Sequence, residues 1–120
     1  MDSTTKISDL KSKVKTFCTD RDWDQYHSAK DLSIGIITES SELLENFRFK
    51  SEREEQRIFA DSSKKAEISE ELADVLFFVL RFAQKYGIDL SSSLEKKLEK
   101  NRKRYPVEKS RGSNKKYTEL

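Results

Sequence analysis

Leu32-Ser-Ile-Gly-Ile-Ile-Thr-Glu-Ser-Ser-Glu-Leu-Leu-Glu-Asn-Phe47 places two acidic residues, Glu39 and Glu42, three positions apart inside an apolar run. A second stretch, Ser69-Glu-Glu-Leu-Ala-Asp-Val-Leu-Phe-Phe-Val-Leu80, repeats the spacing with Glu71 and Asp74. Residues three apart share one helical face, with Cβ atoms about 5–6 Å from each other. Each pair can therefore aim two carboxylates at one small volume. Glutamate is a good helix former, and either pair alone reads most simply as a solvated helix face. Two pairs on two apolar-rich helices resist that reading, because an ionised carboxylate among apolar groups is costly unless it is paired or holds a metal. If the helices face each other, four hard oxygen ligands converge: Glu39, Glu42, Glu71 and Asp74. Such a set suits Mg²⁺, with Mn²⁺ as a possible substitute.

The rest of the composition bounds the fold. The chain has 120 residues, 34% hydrophobic and 38% charged, with one Pro and three Gly. That is the size of one ordinary domain, expected here to span residues 1–120 and to be all-α. A chain so thin in apolar residues is expected to complete its core by self-association. No apolar run approaches the 18 or so residues of a membrane span, and the N-terminus has no apolar signal region. The lone Cys18 cannot form an internal disulfide, which suits a reducing cytoplasm, and it reads as a small core residue. The net charge of +2 hides a basic tail: residues 100–120 carry +6, leaving −4 on the remainder. Such a tail can meet nucleic acid or a polyphosphate. It lacks the aromatic and glycine pattern of an RNA-binding module, so nucleic acid is the weaker reading.

Helical periodicity marks four long segments. The first runs from about Thr5 to Thr19, with Ile7, Leu10, Val14, Phe17 and Cys18 on one side. A polar connection follows, Asp20-Arg-Asp-Trp-Asp-Gln-Tyr-His27, carrying the only Trp and the only His. Trp23 can plug the end of a bundle or offer a flat face to a ring-shaped ligand. His27 is by itself more often a structural hydrogen-bond partner than a catalyst. Ser28-x-x-Asp31 has the form of a capping box and opens the second helix, expected to reach about Phe49. Gly35 within it costs about 1 kcal/mol relative to Ala, which points to a close helix contact. Residues 50–57 are nearly all charged and read as an exposed connection with one helical turn from Ser51-x-x-Glu54. The third helix starts after Asp61 and ends at Gly87, a C-terminal cap. Beyond Asp74 it is apolar almost all round, as expected of an element buried from several sides. The fourth begins near Asp89 or Ser92 and stops before Pro106. The expected architecture is a four-helix core with a charged connection between helices two and three, assembled as an oligomeric helical bundle. Residues 106–120 form a basic tail, expected to drape over a neighbour or stay mobile.

Several chemistries are excluded by what is missing. There is no Gly-x-x-x-x-Gly-Lys-Ser/Thr phosphate loop. One Cys and one His cannot build a usual zinc site, and neither acidic pair carries the His of a di-iron bundle.

The acidic pairs, together with Arg21-Asp-Trp-Asp-Gln-Tyr-His27, Glu70-Glu-Leu-Ala-Asp-Val75, Lys97-x-x-x-Asn101, Arg104-Tyr-Pro106 and Ser113-Asn-Lys-Lys-Tyr-Thr-Glu-Leu120, resemble the MazG-like all-α nucleoside triphosphate pyrophosphohydrolases. The likeness covers about Leu10 to Leu120 and is to the compact single-domain branch that includes dCTP pyrophosphatases. It implies a tetramer built as a dimer of dimers and Mg²⁺-dependent hydrolysis of a nucleoside triphosphate to monophosphate and pyrophosphate. It assigns the metal to Glu39, Glu42, Glu71 and Asp74. Lys97 and Asn101 correspond to fourth-helix residues lining the nucleotide site, and Trp23 to an aromatic of the base pocket. His27 and Phe49 complete the candidate substrate contacts. The branch also has departures here: Phe49 stands where animal members have Trp, Phe78 where they have Tyr, and Val14 where they have a first-helix His. These bear on base choice and leave the metal chemistry intact. Either Glu39 or Glu42 can be the base that takes a proton from the attacking water. The expected substrate is a dCTP-type or modified pyrimidine nucleotide, in nucleotide-pool sanitation. The alternative is a non-catalytic helical scaffold that binds a nucleotide or a partner protein.

Overall fold

The most apolar segment becomes the longest helix and the one the others pack on. In a computed structural model describing residues 1–120, the chain forms α1 (Ile7–Asp20), α2 (Ala29–Glu45), α3 (Glu52–Ala60), α4 (Ser62–Lys85), α5 (Leu90–Arg104) and α6 (Val107–Ser110). Single 3₁₀ turns at Asp24–Tyr26 and Tyr117–Glu119 complete it, and there are no strands. The helices fall into two compact units, Met1–Gly87 and Ile88–Leu120.

In the first unit α4 packs against α1, α2 and α3. The core is small: Cys18, Leu32, Ile68, Leu80 and Ala83 are buried, along with one charged residue, Arg81. An aromatic file extends it, Phe17 meeting Phe77 edge-on at 5.6–5.9 Å together with Trp23, and Phe77 meeting Phe78 at 5.3 Å. Edge-to-face pairs at these spacings are the favoured arrangement of ring quadrupoles. Gly35 explains itself here. A Cβ at that position would lie 2.5 Å from the Phe78 ring, so the side chain of α4 rests directly on the backbone of α2. The close contact anticipated from the helical glycine is present.

Local signals set the helix ends. Ser28 and Asp31 exchange hydrogen bonds as a capping box, the Asp31 amide donating to Ser28 Oγ at 3.1 Å and the Ser28 amide to Asp31 Oδ2 at 3.1 Å. Asp61 accepts from the amides of Ser63 and Lys64 at the start of α4. Gly87, at φ +65°, follows the C-cap Tyr86 of α4 in the left-handed conformation that glycine adopts freely.

Two boundaries differ from expectation. The second helix stops at Glu45, four residues short of Phe49, because the Asn46 amide turns back onto the carbonyls of Glu42 and Leu43. Phe49 then takes φ +64°, outside any helix. The charged connection is a nine-residue helix, α3, rather than a single turn. Ser51 caps it by accepting from the Glu54 amide, three glutamates occupy its first turn, and Phe59 stacks on Phe47 at 5.6 Å. Phe59 and the half-buried Ile58 hold a helix whose remaining residues mostly face water.

The second unit holds α5, the expected fourth long helix, and the basic tail. Its α5 ends at Arg104, before Pro106, as expected. The tail folds onto its own helix: Tyr117 packs edge-on to Tyr105 at 5.9 Å, with the Arg104 guanidinium 4.6 Å over the Tyr117 ring. No helix of the chain is long and apolar enough to cross a membrane.

Candidate active site

The seam between α2 and α4 carries both candidate sites. Leu32, Gly35, Glu39 and Glu42 recur at spacings of three and four along α2, so the buried face of that helix runs directly into its acidic pair. On α4, Glu71, Asp74 and Phe78 do the same. Carboxylate oxygens of Glu39, Glu42 and Glu71 lie within 4.8 Å of one another. Three of the four expected ligands are therefore brought together. Asp74 is exposed and outside that triad, yet near enough for its charge to act on both Glu39 and Glu71.

The burial is uneven. Glu42 is exposed, while Glu39 and Glu71 are half-buried, each with its Oε2 atom withdrawn from water and without a hydrogen-bond partner. Withdrawal from water, followed by the neighbouring Glu42, raises both carboxyls above their ordinary value. Two orphaned carboxylate oxygens facing a third carboxylate fit a divalent cation, since the donors are all hard oxygens and their mutual repulsion is what a cation removes.

This has a measurable consequence. A carboxyl raised in the folded state binds more protons there than in the unfolded chain, so stability falls as pH rises through the raised value. Without metal, the penalty grows as pH rises above the ordinary carboxyl range and is relieved on acidification. With EDTA present, Glu39→Gln should therefore melt above the parent protein at pH 7, and its advantage should shrink on acidification. An advantage independent of pH would show that the orphaned charge is not its source.

One helical turn along α2 from Glu39, about 6 Å by helix rise, lies a pocket of about 370 Å³ lined by Trp23, Tyr26, His27, Asp31, Ile34, Gly35 and Phe78. Trp23 is only partly covered, 37% exposed, and braced by the edge contact with Phe17. The His27 ring lies 6.1 Å from Trp23. Phe49 does not line this pocket: it is 89% exposed, with the Arg48 guanidinium 4.7 Å over its ring. Lys97 and Asn101 lie one turn apart on α5 in the second unit, the first exposed and the second half-buried.

Arg81 is the residue that sequence reading missed. It is 1% exposed and spends its donors on three acceptors: Nη2 on Asp24 Oδ1, Nη1 on Gln84 Oε1 at 2.6 Å, and Nε on His27 Nδ1 at 3.1 Å. Lys85 adds bonds to the main-chain oxygens of Asp24, at 2.8 Å, and of His27. The polar connection after α1 is thus fastened to α4 by two cations, and Arg81 holds the Asp24 carboxyl below its usual range.

Known proteins resemble this chain. The model of the MazG-like family matches residues 34–120. dCTP pyrophosphatase 1 of Rattus norvegicus is 36% identical over 114 residues, which span 95% of this chain and 67% of that protein. dCTP pyrophosphatase 1 of Homo sapiens is 33% identical over the same length, with the same shares. Among solved structures, a pyrophosphatase from Archaeoglobus fulgidus superposes with a TM-score of 0.77 at 34% identity, covering 83% of this chain and 92% of that one.

Proposed function

The chain belongs to the MazG-like family, and from that premise we propose that it hydrolyses a pyrimidine deoxynucleoside triphosphate of the dCTP type to the monophosphate and pyrophosphate, with Mg²⁺ at the acidic cluster. It is a nucleotide pyrophosphohydrolase, in keeping with the dCTP pyrophosphatases and the archaeal pyrophosphatase it resembles. The observation that carries the finer reading is the pairing of orphaned carboxylate oxygens on Glu39 and Glu71 with an aromatic pocket one helical turn away.

Glu39, Glu42, Glu71 and Asp74 would hold the cation, and Mn²⁺ fits the same oxygen set. When bound, it supplies countercharge for the α-phosphate and for the departing pyrophosphate. The chain's own residues do the rest. Trp23 and Phe78 offer faces for a base, which sets the sugar and phosphates toward the α2–α4 carboxylates. Glu42 is the exposed member of the triad and has the access to take a proton from a water attacking the α-phosphorus, with Glu39 beside it as the alternative base. Cleavage of the bond between the α-phosphorus and the bridging oxygen then releases pyrophosphate. Lys97 and Asn101 are proposed as further nucleotide contacts, all 120 residues forming one functional domain of a cytoplasmic enzyme.

The test is pyrophosphate release across a panel of ribo- and deoxynucleoside triphosphates, with and without Mg²⁺. Turnover of dCTP that needs the cation is expected. No release from any member of the panel would leave a binding scaffold instead.

Assembly as a homotetramer, a dimer of dimers, belongs to the same proposal. Leu72 and Leu76 on α4 are 56% and 46% exposed, and Ile37 and Leu44 on α2 are 69% and 58% exposed. Apolar surface on helices otherwise facing the core is what a second copy covers. Light scattering at micromolar concentration should give the tetramer mass, and a stable monomer would rule the assembly out.

A further inference from the structure

Arg81 stands out because no part of the cleavage reaction calls for it. A guanidinium that is 1% exposed is costly unless its donors are satisfied, and one of its three partners is the single imidazole of the chain. Arginine can only donate, so the His27 nitrogen that faces Arg81 Nε must be an unprotonated acceptor. That nitrogen is Nδ1. In the neutral ring the proton then sits on Nε2, and His27 is one of the residues lining the pocket with Trp23, Gly35 and Phe78.

We propose that Arg81 is a positioning residue for substrate choice: its bond to His27 Nδ1 fixes the ring as the neutral Nε2–H tautomer and makes His27 a hydrogen-bond donor to the edge of a pyrimidine in the aromatic pocket. The pyrimidine carbonyl O2, and N3 of cytosine, are acceptors that match it. Stacking on Trp23 tolerates any base, whereas a fixed donor rejects a ring edge that presents only another donor. The groups facing His27 are Arg81 and Lys85 from α4, Asp24 from the connecting turn and Asp31 from α2. Withdrawal from water and the two cations outweigh the two carboxylates and hold the imidazole below its ordinary pKa, so the neutral donor persists across the physiological range. The inference rests on the nucleotide reading for its ligand, and on the Arg81–His27 geometry alone for the tautomer.

Because His27 is the only histidine, nitrogen-15 spectra of the whole protein report it without ambiguity. The unliganded protein at pH 7 should show a protonated Nε2 and a hydrogen-bonded, unprotonated Nδ1. Adding dCMP should shift the Nε2–H resonance. In Arg81→Met the imidazole should titrate at higher pH than in the parent, and KM for dCTP should rise roughly 2- to 12-fold, the worth of one ordinary hydrogen bond, with kcat little changed. A proton on Nδ1, or an imidazolium at pH 7, would overturn the lock whether or not nucleotides are cleaved. A locked tautomer with an Nε2–H signal indifferent to dCMP, in a protein that turns over dCTP, would overturn the base-reading role. Loss of kcat with unchanged KM in Arg81→Met would do the same. Absence of turnover on the nucleotide panel would remove the ligand and, with it, this assignment of His27, leaving the spectroscopic lock as a structural fact.

Discussion

Glu42→Gln is expected to lower pyrophosphate release by about 10²–10⁴-fold, the usual contribution of a positioned general base, without loss of helical content. The second half of that expectation gives the experiment its force. Glu42 raises the carboxyls of both Glu39 and Glu71, so neutralising it removes repulsion and should leave the metal-free fold at least as stable as before. A dead variant that melts no earlier than the parent cannot be dismissed as misfolded. Asp74→Asn makes a sharper distinction, because Asp74 lies outside the triad of close oxygens yet is expected to be the fourth ligand. It too should lose turnover in Mg²⁺. Near-normal activity in Asp74→Asn with a dead Glu42→Gln would confine the cation to the three glutamates. Near-normal activity in Glu42→Gln would remove Glu42 as ligand and base and pass the base role to Glu39.

The features that sequence made legible are those whose cause is local. Spacing of three and four residues put Glu39 and Glu42 on the face that also carries Gly35, and a helical glycine flanked by β-branched residues already asks for a close neighbour. The capping residues Ser28, Ser51 and Asp61 announced three helix starts. The misjudged boundaries were contests between weak local signals. Ser51-x-x-Glu54 and the apolar Ile58 and Phe59 were visible, but not that Phe59 stacks on Phe47 or that the helix runs to nine residues. The Asn46 side chain ended α2 early by a bond that any asparagine can make and few do.

Arg81 was illegible for a different reason. It sits in Leu80-Arg-Phe-Ala83, where an isolated arginine reads as the solvated side of an apolar helix. Its partners Asp24 and His27 lie 57 and 54 residues away in sequence. Only the fold brings them together. The signal that could have exposed it is arithmetic: the polar connection bearing the only Trp and the only His must be anchored to something, and the stretch of α4 beyond Asp74, apolar almost all round, holds two cations one turn apart, Arg81 and Lys85.

The separation of stacking from edge recognition leads to the second large effect. Trp23→Ala should raise KM for every accepted nucleotide by about 5- to 150-fold, since stacking on one aromatic is worth about 1–3 kcal/mol per base. Trp23 is suited to this because its partial exposure leaves surface for a ligand while the Phe17 edge fixes its plane. Phe49 is exposed and is not among the residues lining that pocket; Phe78 is, resting on Gly35. Every base has a π-face, so removing the indole should weaken dCTP, dUTP and dTTP by similar factors and leave their order intact. The order belongs to donors and acceptors on the ring edge, met in this pocket by His27 with Tyr26 and Asp31 beside it. A ranking that reorders sharply in Trp23→Ala would give the indole a part in choosing the base, and the division of labour between the two residues would have to be abandoned.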